Sequence, residues 1–224
     1  MIKIFKISFV SIFIWSTIIT SCKKENDPPI DGDGNVYGTV TIGTQIWLTE
    51  NLKTRKTSLG ATISLINDNS NWETAQWPAY CWYNNNEDFK DTYGALYNYQ
   101  AIKLEGVCPN GYHIPSYEDW IKLFDFLGGV DIAGLKLRET GTIHWAYYNP
   151  QNLGTNEKGF TALPSGRRLW NGEFIDLYYG GCFWIYDNIE ENKRYFQIDY
   201  SREGIGNGGS LGQPGYSVRC LKNN

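Results

Sequence analysis

Histidine is nearly absent from this 224-residue chain, which holds only His113 and His144, and methionine occurs once. A histidine-rich iron triad cannot be assembled from two rings. The five cysteines include no C-x-x-C pair, so zinc and thioredoxin-like chemistry has no motif to rest on. Positive charge is also short. Twenty Lys and Arg against 24 Asp and Glu give a net charge of −4, with no basic stripe and hence no electrostatic footprint for nucleic acid. Two local patterns imitate ligand sites and fail. Asp31-Gly-Asp33-Gly-Asn35 starts like an EF-hand loop, but Val36 stands where its glycine belongs and Ile42 where its bidentate Glu belongs. Gly204-Ile-Gly206-Asn-Gly208-Gly209 is glycine-rich, yet no helix follows it and no lysine serves a phosphate, so it reads as a mobile loop before the last strand. No metal and no cofactor are expected.

What is present begins with an export signal. Residues 1–21, MIKIFKISFVSIFIWSTIITS, carry two lysines, an apolar run too interrupted for a good membrane span, and small residues before Cys22. Ile19-Thr20-Ser21-Cys22 resembles a bacterial lipobox, in which the cysteine takes the lipid. Removing the leader takes away Lys3 and Lys6 and moves the net charge from −4 to −6, so attachment to the membrane should be covalent rather than electrostatic. Residues 22–35 read as the lipidated cysteine and a flexible Pro- and Gly-rich tether. Lys24, Glu25 and Asp27 resemble the short charged signals that route some Gram-negative lipoproteins to the cell surface, although a solvated tether explains the same residues. The domain proper is expected over 36–224.

With Cys22 committed to lipid, Cys81, Cys108, Cys182 and Cys220 remain. An even number in an exported chain points to two disulfides, with three possible pairings. The domain reads as α+β, with many short antiparallel strands, one or two helices and long loops, notably 53–78 and 141–159. Val40 and Ile42 alternate with threonines, Gly43-Thr44 suits a two-residue turn, and Ile46 and Leu48 resume the alternation. Ser116 should cap a helix in which Glu118 and Asp119 occupy the first turn, Trp120, Leu123, Phe124 and Leu127 form the buried stripe, and Gly128-Gly129 ends it. A weaker helix is expected over 131–139.

Five motifs carry a family resemblance: DGNVYGTVTIGTQIWLTENLKT, PAYCWYNNNEDFKDTYGALYNYQAI, CPNGYHIPSYEDW, GTNEKGFTALPSGRR and GYSVRC. In this order they resemble the Fibrobacter succinogenes major paralogous domain family. The resemblance implies a C-type lectin-like fold, in which first and last strands pair and a disulfide joins the first-helix region to the final strand. It therefore implies Cys108–Cys220, and leaves Cys81–Cys182 as the second bridge. HIPSYEDW also resembles the helix start of formylglycine-generating enzymes, where an arginine replaces His113; a position open to both is architectural.

A fold does not name an activity. Copper oxidation as in the formylglycine generators needs two close thiols near the C-terminus, where Cys220 stands alone. Calcium-dependent sugar binding needs a carboxylate after Gln213-Pro214, where Gly215 stands. A glycoside hydrolase needs two carboxylates across a cleft, and Asp88, Asp91, Asp176, Asp187, Glu190, Glu191 and Asp199 are scattered. No catalytic residue is assigned. Aromatics, in contrast, make up 16% of the chain, with nine Trp, sixteen Tyr and ten Phe. Trp47, Trp82, Trp120 and Trp184 are expected in the core. Trp145, Tyr147 and Tyr148 in the loop after Gly141, with Trp170, are the candidates for an exposed ligand-binding surface. The expected function is a lipid-anchored module in the cell envelope, at the outer membrane, that binds a glycan or protein without catalysis. A polysaccharide-active enzyme and a structural envelope component are the alternatives.

Overall fold

Gly43 takes φ 61°, which a two-residue hairpin turn requires at its first position, and lets β1 (Thr39–Ile42) fold back on β2 (Gln45–Leu48). The register sets Ile42 opposite Gln45 and Val40 opposite Trp47. Val40, Ile42 and Trp47 thus share one face, and Leu48 points to the other. Each face belongs to a different core cluster, so β2 is buried on both sides while Thr39 and Thr41 leave β1 exposed on one.

The computed structural model describes residues 27–187 and 193–223. The leader, Cys22 and the first part of the tether lie outside the described residues. The rest of the tether is folded. Ile30 and Val36 bridge antiparallel, and the buried Asp31 carboxylate accepts from the backbone N–H of Asp33 and Asn35 and, at 2.6 Å, from the Tyr37 hydroxyl. The run that imitates a cation loop is an Asx-type turn that satisfies its own carboxylate. The domain therefore starts several residues before the expected boundary at 36.

The order of elements is mixed α and β. After the hairpin come β3 (Ser64–Leu65), α1 (Asn69–Thr74), β4 (Ala79–Cys81), α2 (Lys90–Tyr93), β5 (Leu96–Tyr97), α3 (Tyr99–Ile102) and β6 (Tyr112–His113). The helices α4 (Tyr117–Phe126) and α5 (Val130–Leu137) follow, then β7 (Ser165–Arg168), β8 (Phe174–Leu177), β9 (Gly180–Trp184), β10 (Arg194–Asp199), β11 (Ile205–Gly209) and β12 (Leu221–Lys222). Among the described residues three sheets result, in the orders β1-β2-β12-β6, β11-β10-β9-β7-β8 and β3-β4-β5. The first places the last strand between β2 and β6, which brings the two ends of the domain together as expected.

Helix α4 forms for the reasons legible in its sequence. The Ser116 hydroxyl accepts from the Asp119 N–H, and the Asp119 carboxylate accepts from the Ser116 N–H at 3.0 Å, a complete capping box. Trp120, Leu123, Phe124 and Leu127 are all buried. They meet Trp47, Phe160, Phe183 and Phe196 in one aromatic cluster, with Trp47 and Trp120 ring centres 4.8 Å apart. A second cluster gathers Trp82, Tyr97, Trp184 and Tyr216 around the Cys108–Cys220 disulfide. The four tryptophans assigned to the core are there.

Buried arginines tie these parts together. The Arg219 guanidinium donates to the Asn51 side chain at 2.8 Å and to the carbonyls of Thr49 and Phe160 at 2.8 and 2.6 Å, and lies 4.4 Å from the Phe160 ring. Desolvation pulls its pKa down to about 9. Arg168 likewise donates to the carbonyls of Ile66, Asn67 and Gly172. Charged residues of the family motifs thus serve as internal crosslinks between loops.

Two expectations need correction. Cys81 and Cys182 are both free thiols. Cys81 lies on β4 in a small cluster with Trp72 and Leu96, whereas Cys182 lies on β9 in the cluster with Trp184, so their sheets hold them apart. Burial pushes both thiols up to about 12, which leaves them inert as nucleophiles. The glycine run after Gly204 is strand β11, paired antiparallel with β10. A Cβ at Gly208 would lie 2.8 Å from the Tyr195 hydroxyl oxygen, so glycine is what lets that ring lie across the strand.

Candidate functional site

Sheet order creates the most distinctive surface of the molecule. Because β7 lies between β8 and β9, the two residues linking β8 to β9, Tyr178 and Tyr179, must step across the start of β7. The step is held by backbone bonds from Tyr178 N–H to Pro164 O and from Ala146 N–H to Tyr178 O. It is tight enough to force two non-glycine residues into the left-handed region, Asp176 at φ 68° and Tyr178 at φ 70°. For a bulky residue this conformation is an outlier costing on the order of 1 kcal/mol or more, and such outliers persist where surrounding structure imposes them. The effect is to hold two tyrosines outward on a rigid corner. Tyr178 is 45% and Tyr179 51% exposed.

Other tyrosines extend the surface. Tyr200 packs edge-to-face against Tyr179, with centroids 5.1 Å apart, and against Tyr148 at 5.5 Å. A backbone bond from Tyr200 N–H to Tyr179 O fixes the spacing. Tyr148, 54% exposed, thus joins Tyr179 across Tyr200 in a row of three rings. Each edge-to-face contact contributes about 0.5–1.5 kcal/mol beyond area burial, so the row is preordered. On the other side, Tyr178 approaches Tyr93 at 6.4 Å, and Tyr93 meets the His144 ring at 5.7 Å. Burial, with Tyr178 and Glu139 adding, pushes the Tyr93 phenol up to about 12.

The ring of His144 stands at the wall of a cavity of about 290 Å³ shared with Glu50, Asp91, Thr92 and Thr161. His144 Nδ1 lies 2.8 and 3.0 Å from the two oxygens of Glu139, a carboxylate clamp that fixes the ring. Asp91 accepts from Lys53 at 2.8 Å, and that hydrogen bond holds its carboxyl below the usual range. Thr161 is another left-handed residue, at φ 55°, held by Asn156, whose side chain accepts from the Thr161 N–H at 2.7 Å and donates to its hydroxyl at 2.9 Å.

The candidates read from sequence therefore separate. Tyr148 belongs to the tyrosine face. Tyr147 is 60% exposed but makes no ring contact among the described residues. Trp145, expected on the surface, is 5% exposed. Its loop folds inward, its indole N–H donates to Ala162 O at 3.0 Å, and Arg138 lies 5.5 Å from the ring. This loop aromatic is filled with core contacts that loop length does not reveal. Trp170 is 51% exposed, but it sits in the β7–β8 turn beside Gly212, at the far end of β8 from Tyr178. Four strand residues separate those ends by roughly 13 Å. Tyr178, Tyr179 and Tyr200 escaped selection, although a Tyr-Tyr pair followed by Gly180-Gly181 between two strands was the available signal.

The other histidine has an architectural position. His113 lies 2.8 Å from Asn223 Oδ1 and 3.3 Å from the Asp119 carboxylate, linking the C-terminal segment to the capping box. Among the described residues, no three or more His, Cys, Asp or Glu side chains are grouped to hold a metal ion, and no helix is long and apolar enough to cross a membrane.

Comparison with known proteins yields one match. The family model described as the Fibrobacter succinogenes major domain covers residues 40–222. No curated protein and no solved structure matches the chain.

Proposed function

The chain belongs to the Fibrobacter succinogenes major domain family, and from that premise we propose that it is an envelope-anchored module that binds neutral glycans through its tyrosine face. The family supplies the framework of motifs, and most of the chemically suggestive residues in those motifs are consumed by it. Asp31, Asp119, His113, Arg168 and Arg219 all have internal partners. Among what the framework leaves outward is a group of aromatic rings. The observation that carries the reading is the row Tyr148–Tyr200–Tyr179, beside Tyr178, on a corner whose backbone is held in a costly conformation. Flat rings with hydroxyl tips pack on sugar C–H faces and give direction through the phenol O–H. A prearranged row spends little conformational entropy on binding.

The anchor is part of the same reading. A lipobox ending in Cys22 and a short polar segment before Asp31 support acylation and export to the outer membrane. A glycan array probed with detergent-extracted full-length chain tests the binding. Binding to neutral polysaccharides that falls at least tenfold in the Tyr148→Ala/Tyr179→Ala variant supports the reading; retention of full binding in that variant removes it. Mass analysis of the N-terminal peptide from cell-extracted chain tests the anchor, which requires diacylglycerol on Cys22.

A further inference from the structure

The tyrosine face ends at a cavity with a different chemical character, and we infer that this cavity, walled by His144, Asp91, Glu50 and Thr92, is a pocket for a single neutral pyranose ring at the end of a bound glycan. The inference deepens the reading of the tyrosine face and rests on it. Its volume of about 290 Å³ lies at the small end of ligand pockets, matched to one sugar ring rather than an oligosaccharide. Its position is one ring away from the tyrosine face, since Tyr178 and His144 both pack against the buried ring of Tyr93.

The polar atoms at the wall select the ligand class. His144 Nδ1 is engaged by the Glu139 carboxylate, so Nδ1 carries a proton and the ring is held in place. Asp91 uses Oδ1 on Lys53, and Glu50 uses Oε2 on the Gly38 N–H and the Thr49 hydroxyl. Asp91 Oδ2 and Glu50 Oε1 have no partner among the described residues. The wall therefore presents free carboxylate oxygens of Glu50 and of Asp91, the latter paired with Lys53, beside the Thr92 hydroxyl, and a ligand that supplies donors fits them. Sugar hydroxyls do so. A uronate would set its carboxylate against Asp91 and Glu50. Asn51 and Arg219, which also line the cavity, are not available: the Asn51 amide donates to Tyr93 O and its oxygen accepts from Arg219. Thr161, in its left-handed conformation and locked by Asn156, also lines the cavity.

The test titrates the full-length chain, by calorimetry and saturation-transfer NMR, with methyl glucoside, methyl galactoside, methyl mannoside, D-glucuronate, cellohexaose and mannohexaose. At least one neutral glycoside should bind, at least tenfold more tightly than glucuronate. His144→Ala should weaken that binding at least tenfold. Asp91→Asn, on the solvent side where folding is not at stake, should weaken it at least threefold. Tyr148→Ala/Tyr179→Ala should weaken the hexasaccharide alone. If no methyl glycoside binds, if glucuronate binds as well as the neutral sugars, or if both pocket variants bind like wild type, the pocket assignment is overturned. A hexasaccharide that still binds in a Tyr148- and Tyr179-dependent way would then leave the tyrosine face standing. Hexasaccharide binding that depends on His144 and Asp91 but not on the tyrosines would instead keep the pocket and overturn the face, and no binding to any probe would overturn both.

Discussion

Replacing Cys108 and Cys220 together by alanine should lower the stability of the domain by about 5 kcal/mol. The bridge closes a loop with a sequence separation of 112 residues. In the chain-entropy model a loop of that length restricts the denatured chain by about 5 kcal/mol at 25 °C. Both cysteines are buried in the cluster with Tyr97 and Trp184, so alanine leaves apolar surroundings with only a small void. Single domains have about 5–15 kcal/mol to lose, and the variant should sit near the lower edge of foldability. In urea, with a slope of about 2 kcal/mol/M, the midpoint should fall by roughly 2–3 M. The slope should rise, because the unbridged denatured chain expands. A midpoint shift below about 0.5 M with an unchanged slope would show that the bridge does not constrain the unfolded state. Unfolding also provides a thiol count. Unfolded without reductant, the Cys22→Ser variant should expose two reactive thiols, Cys81 and Cys182; none would mean that these two are bridged after all.

Three other perturbations follow from the geometry. Asp119→Asn should cost about 1–2 kcal/mol at neutral pH by breaking the capping box. Burial raises the Asp119 carboxyl, but the Ser116 hydroxyl and N–H and His113 outweigh it and hold its pKa below the usual value. The loss measured by urea titration should thus be full above about pH 4 and shrink as pH falls through the folded pKa, when wild type protonates; a loss that persists at pH 2 would contradict this. Trp145→Ala should destabilise by about 3–5 kcal/mol in thermal or urea melts, as a core truncation, rather than remove binding from a stable domain. Tyr178→Gly should leave stability unchanged or raise it by about 1 kcal/mol, since it relieves the left-handed backbone, while it weakens glycan binding.

Local signals in the sequence carried well where one residue type dictates one geometry. Ser116 with Asp119 and the stripe from Trp120 to Leu127 specify α4, because capping and a 3.6-residue period are contained within twelve positions. Gly43-Thr44 specifies the first hairpin in the same way. The motif resemblance carried the long-range pairing of Cys108 with Cys220 and of the last strand with the first hairpin. What failed depended on contacts between distant segments. Nothing near Cys81 tells that β4 belongs to a separate three-stranded sheet. Strand β11 reads as a loop because its pairing with β10 uses backbone groups, and its missing side chains make room for Tyr195. The inward turn of Trp145 is decided by Ala162 and Arg138, seventeen and seven positions away. The tyrosine face is of this kind too. It exists because β7 inserts between β8 and β9, an ordering that no segment encodes alone.

Hydroxyl-radical footprinting of the full-length chain, with and without a bound neutral polysaccharide, reads the tyrosine face without altering a residue. Binding through that face should protect Tyr148, Tyr178, Tyr179 and Tyr200 and leave the exposed Trp77 and Trp170 unchanged. Protection centred on Trp77 or Trp170, with the four tyrosines as reactive as in the free chain, would contradict it.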